Sequence, residues 1–106
     1  MMPDAFDEYC SLFHQDIFEE YGSLENATAG NVADLRLENL KALQVYLETI
    51  LVREDISLKS LLRKTISDIW FGNAKSARYF LEQTLQATRD RLHKIRDDKI
   101  KLYSRE

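Results

Sequence analysis

Apolar residues recur at helical spacing along almost the whole chain. Phe6, Cys10, Phe13, Ile17 and Tyr21 lie three or four positions apart, with Tyr9 and Phe18 beside them, and so share one helix face. Pro3 and Asp4 open this first helix, because proline lacks an N–H that a first turn would orphan. Gly22 stops it, since glycine takes the left-handed conformation of a helix end without strain. Residues 22–31 show no such period and hold two of the three glycines, so they read as a loop with a mobile tip.

A second stripe runs through Val32, Leu35, Leu40, Leu43, Leu47 and Ile50. It predicts a helix from about Asn31, a fair N-cap, to about Arg53-Glu54. Leu37, Val45, Tyr46 and Leu51 widen the stripe, which places this helix centrally. Asp55 or Ser57 caps a third helix, with Leu58, Leu61, Leu62, Thr65, Ile66 and Ile69 on its buried face and Trp70-Phe71 closing it. Gly72 is the stop and Asn73 the next cap, so the third and fourth helices should lie antiparallel across a tight turn. The fourth helix meets no breaker from about Ala74 to Tyr103, a length of about 45 Å at about 1.5 Å per residue.

The pattern as a whole predicts an all-α fold: a four-helix up-down bundle with a long C-terminal helix, in a single domain over residues 1–106. The third helix is too short to cover the fourth. Residues 90–106 therefore either pack on the earlier helices or project with an apolar strip of Leu92, Ile95, Ile100, Leu102 and Tyr103, and such strips usually mark an interface.

Composition narrows the class. Three glycines and one proline cannot supply the frequent turns of a sheet protein. One cysteine, Cys10, permits no internal disulfide and suits a reducing compartment such as the cytoplasm. No stretch has the form of a secretory signal, and no apolar run is long enough to span a membrane. Asn26-Ala27-Thr28 matches the glycosylation acceptor pattern, which without a signal segment reads as loop chemistry.

Charge adds an asymmetry. Residues 1–38 hold nine acids against one base, a net of −8, whereas residues 59–106 hold twelve bases against six acids, a net of +6. The two halves can attract each other, or the basic half can face an acidic partner. Within the last helix, Asp90 with Lys94 and Asp97 with Lys101 form acid-before-base pairs four apart.

Catalytic chemistry has little to work with. His14 and His93 sit on different helices with no ligand-type partner in a recognisable spacing, and the chain holds three Cys and His residues in total, too few for a structural zinc site. Cys10 lies on an apolar face and reads as a core residue rather than a nucleophile. Asp16, Glu19 and Glu20 form an acidic cluster at the end of the first helix, where a basic partner, for instance from residues 89–105, would relieve the helix dipole. Glycine-rich phosphate loops are absent. No cofactor, metal or small-molecule substrate is implied, and the chain reads as a non-enzyme.

Leu12-Phe13-His14-Gln15-Asp16-Ile17-Phe18-Glu19-Glu20-Tyr21, followed by Glu54-Asp55-Ile56-Ser57-Leu58, resembles helical dimerisation domains of bacterial stress and clock regulators. The resemblance covers under a fifth of the chain and carries over no functional residue.

These readings favour a protein–protein interaction module: an adaptor, inhibitor, immunity-type or regulatory subunit binding through the long last helix. The expected contact residues are Arg89, Arg96, Lys99 and Tyr103, with Trp70 and Phe71 at the end of the third helix. One alternative is nucleic-acid binding by the basic 89–105 segment, although Asp90, Asp97 and Asp98 interrupt it. The other is a structural homodimer joined by the fourth helix.

Overall fold

The expected first helix is broken in the middle. In the computed structural model, which describes residues 3–14, 16–65 and 73–103 (backbone alone for Thr65 and residues 100–103), α1 spans Asp4–Ser11 and α2 spans Ile17–Tyr21. Local hydrogen bonding explains the break. Ser11 Oγ donates to the Glu8 carbonyl at 2.6 Å, the acceptor that a continuing helix would offer to the Leu12 N–H. Leu12 and Phe13 instead donate to the carbonyls of Tyr9 and Cys10, three residues back and each at 3.1 Å, which tightens and ends the helix.

Gly22 ends α2 as expected. Its φ is +85°, and its N–H donates to the Phe18 carbonyl at 2.8 Å. A Cβ there would meet nothing within 4 Å, so alanine would bring backbone strain alone. Gly22→Ala should cost about 1–2 kcal/mol and lower the melting temperature by several degrees. An unchanged thermal melt would show that the left-handed turn is not needed.

Residues 22–31 are not a loop. They contain most of α3 (Leu24–Ala33), capped by Ser23, whose Oγ accepts from the Asn26 N–H at 3.1 Å. Asn26 Nδ2 donates to the Tyr21 carbonyl at 3.1 Å and so ties α3 to the end of α2. The glycosylation-like triplet is therefore helical, and its Thr28 is buried. Asn31 is also buried within α3 and caps nothing. The next helix, α4 (Leu37–Leu51), starts later than the apolar stripe suggested, after a turn at residues 34–36.

The later boundaries match expectation more closely. Ser57 Oγ accepts from the Ser60 N–H at 3.2 Å ahead of α5 (Leu58–Thr65). Asn73 Oδ1 accepts from the Ser76 N–H at 2.8 Å ahead of α6 (Ala74–Tyr103). The described residues thus form six helices rather than four. Residues 66–72, with the expected stop at Gly72 and the tight turn after it, lie outside the described residues.

α6 packs against α3, α4 and α5, while α1 packs against α4 and α5, and α2 against α3. Thirty residues of helix, about 45 Å long at about 1.5 Å per residue, account for most of the 53 Å long axis of the molecule. The core gathers Phe6, Tyr9 and Phe13 with Leu40, Leu43 and Leu47 of α4 and with Ala77, Phe80 and Leu81 of α6. Cys10 is part of that core, as the sequence implied.

Candidate partner interface

The buried face of α6 runs through Ala77, Phe80, Leu81, Thr84, Leu85 and Thr88, at helical spacing. Beyond Thr88 it opens. Arg91, Leu92 and Ile95 are half-buried, whereas Lys94, Arg96 and Lys99 are exposed. Leu92 and Ile95 still touch the core. The start of the 90–106 segment therefore packs on the bundle, and beside it lies a groove that α6 and α4 share.

The groove encloses about 460 Å³. From α4 it is lined by Leu37, Lys41 and Gln44, and from α6 by Leu92, Ile95, Arg96 and Lys99. Both sets follow the one-face spacing of a helix, so two parallel ridges form its walls. Glu48, late in α4, approaches Arg89 Nη2 at 3.7 Å, while Leu37, at the start of α4, shares the groove with residues further along α6. The two helices therefore run in opposite directions.

The electrostatics of the groove are one-sided. Lys41, Arg96 and Lys99 line it, and no carboxylate among the described residues does. Two nearby acids of α6 are engaged along their own helix. Asp97 Oδ2 lies 3.2 Å from His93 Nε2, and Asp90 Oδ1 accepts from Gln86 Nε2 at 2.9 Å. The expected pairing of Asp90 with Lys94 is thus replaced by a bond to the preceding turn, the direction in which side chains on a helix lean. Asp97 contacts His93, and the side chain of its expected partner Lys101 lies outside the described residues.

The contact residues proposed from sequence separate. Arg96 and Lys99 meet in the groove. Arg89 sits outside it, half-exposed beside Glu48. Trp70 and Phe71 lie outside the described residues, as does the side chain of Tyr103. Sequence reasoning missed the α4 wall, although Lys41 is the one base between Arg36 and Arg53. Nothing local connects Lys41 to residues more than fifty positions away; that proximity is tertiary.

Two other depressions offer less. One, between α3 and α6, mixes Glu25 and Asp90 with Arg91 and Lys94, and has no dominant sign of charge. Beside it Tyr79 donates to Glu25 Oε1 at 2.6 Å, a bond that holds the Glu25 carboxyl below its usual range and pushes the Tyr79 phenol up. The other is larger, about 850 Å³, and is bordered by Pro3 and the α5 residue Lys64. Its Arg53 is already held by Asp55 through two hydrogen bonds of 3.0 and 2.6 Å.

The acidic cluster of α2 draws its partner from nearby. His14 Nε2 lies 3.6 Å from Glu20 Oε2, while the side chains of Lys101 and Arg105, within the segment expected to supply a basic partner, lie outside the described residues. Both histidines are exposed beside carboxylates, and no group of three or more His, Cys, Asp and Glu residues among the described residues could hold a metal ion. Among the described residues no helix is long and apolar enough to cross a membrane.

No protein-family model, curated protein or solved structure matches this chain. Of the two stretches that suggested dimerisation domains, the first is not a continuous helix, since it contains the break between α1 and α2.

Proposed function

We propose that this chain is a non-catalytic interaction module that binds a protein partner through α6, with Arg96 and Lys99 in the contact. It acts as an adaptor, inhibitor, immunity-type or regulatory subunit in a reducing compartment such as the cytoplasm. The observation that carries this reading is the α4–α6 groove. Leu37, Leu92 and Ile95 present apolar surface there, next to three cations that have no lining carboxylate among the described residues. A half-buried apolar strip rimmed by charge is the anatomy of a protein interface. A cation without a local counter-charge is supplied with one when a partner docks.

The test is a quantitative comparison of co-purifying proteins from cells that express the chain. Arg96→Glu with Lys99→Glu should remove the specific partner, while the circular dichroism spectrum stays that of the wild type. Both side chains are exposed, so the fold does not depend on them. Retention of the same partner by the folded double variant would overturn the placement on α6.

A further inference from the structure

We infer that the occupant of the α4–α6 groove is an acidic amphipathic helix of the partner protein. This inference rests on the interaction reading above and adds the chemistry of what binds.

A segment that enters an apolar groove must keep its N–H and C=O groups paired. Extended peptides solve this by adding to the edge of a sheet, and the described residues of this protein contain no strand. The groove walls are two helices whose own backbone groups are already bonded. The occupant must therefore satisfy its backbone internally, and a helix does so.

Shape points the same way. Leu37, Lys41 and Gln44 on one wall, and Leu92, Ile95 and Lys99 on the other, are ridges of helix-face spacing. A helix with anchors at i, i+3 or i+4, and i+7 fits such a cleft between two ridges. Its apolar side would cover Leu37, Leu92 and Ile95.

Charge fixes the flanks. Lys41 stands on the α4 wall, and Arg96 and Lys99 on the α6 wall, so cations come from both sides. Of the acids near these cations in sequence, Asp97 contacts His93 and Asp90 accepts from Gln86, while Asp98, beside Lys99, does not line the groove. A helix with glutamate or aspartate on both sides of its apolar stripe matches this layout. A basic or neutral helix would leave the cations uncompensated at the rim.

Nucleic acid fits less well. Among the described residues the lining contains no aromatic side chain on which a base could stack, and its floor is aliphatic. A lipid surface is flat, whereas Leu92 and Ile95 are recessed between two helices and only half-exposed.

A yeast-displayed library of helical peptides tests this directly. Leucines are fixed along one face and the flanking positions are randomised. Selection with the full chain should enrich Asp and Glu at the flanks. Selection with Lys41→Glu, Arg96→Glu, Lys99→Glu should lose that preference or reverse it toward Lys and Arg. The best acidic peptide, made free and labelled, should bind the wild-type chain at least about tenfold more tightly than it binds the triple variant, and more weakly as salt rises.

Absence of acidic enrichment would overturn the inference. So would equal affinity for the triple variant, or tighter binding of a dT oligonucleotide or of phosphatidylserine vesicles at the same three cations. Self-association lost in the triple variant, with no peptide selected, would assign the groove to a second copy and overturn it as well. If no acidic helix is selected but the Arg96, Lys99 double variant still loses its cellular partner, the interaction reading stands and this partner class falls. If the partner is retained, the placement on α6 falls too.

Discussion

Phe80→Ala should lower the unfolding free energy by about 3–5 kcal/mol, read as a shift of the urea midpoint at unchanged slope. Phe80 is fully buried at the middle of the α6 contact face. Its ring meets Phe13 edge-on with centroids 5.0 Å apart and stacks with Tyr9 at 6.3 Å. Tyr9 and Phe13 in turn meet at 5.1 Å, so three rings from α1, the α1–α2 turn and α6 close on one another. Removing Phe80 leaves a cavity that the other two rings cannot both fill, and edge-to-face pairs add about 0.5–1.5 kcal/mol beyond area burial. A domain of this size has a total stability of about 5–15 kcal/mol, so this loss is a large fraction of the whole. The neighbouring Tyr79 is 44% exposed, against 0% for Phe80. Tyr79→Ala should therefore cost far less, even though it loses the bond to Glu25. A loss below about 1 kcal/mol for Phe80→Ala would contradict the three-ring core, since that is the scale of an ordinary surface change.

The second large effect concerns a buried hydrogen bond and its direction. Thr84 Oγ1 donates to the Phe80 carbonyl at 2.9 Å and lies 2.9 Å from Tyr9 Oη. Its one proton is committed to the carbonyl, so the Tyr9 phenol is the donor in the second bond. Thr84→Val keeps the shape but takes away this acceptor, leaving the buried O–H with the Thr28 hydroxyl alone, at a cost of up to about 1–3 kcal/mol. Tyr9→Phe leaves Thr84 still bonded to Phe80 and should cost less, about 0.5–1.5 kcal/mol. In the double variant the penalty for the stranded donor disappears, so its loss should be smaller than the sum of the two. A larger loss for Tyr9→Phe than for Thr84→Val would reverse the donor assignment.

The same phenol predicts a pH dependence. Burial pushes the Tyr9 pKa up, and the hydroxyls of Thr84 and Thr28 offset only part of that. Below the unfolded value of about 10 the phenol is neutral in both states, and its contribution is fully present. Above that value the unfolded chain loses the proton while the folded chain keeps it, so stability falls as pH rises. Tyr9→Phe should flatten the alkaline arm of the stability curve; an unaltered arm would mean that Tyr9 ionises freely in the folded protein.

The sequence by itself determined that the chain is helical, where several helices are capped and which aliphatic faces are buried. Those are local matters. Ser57, Asn73 and Gly22 act on backbone groups within a few residues, and Leu40, Leu43, Leu47 and Ile50 repeat at the helical period whatever they touch. α3 escaped because its buried face has the right spacing and the wrong chemistry. Ala27, Thr28, Asn31 and Val32 stand one, three and one apart, pairing at i, i+3 and i+4 as a helix face requires, but two of the four are polar. Their burial depends on neighbours that lie far off in sequence. The break after Ser11 escaped because an apolar stripe survives a turn of the chain, and only the bond of Ser11 to Glu8 reveals the interruption. The groove is the extreme case. Arg96 and Lys99 could be chosen as exposed cations from α6 alone, but Lys41 and Leu37 join them only through the packing of α4 against α6. A helix's own period tells which face is apolar; what stands opposite that face is decided only when the chain has folded.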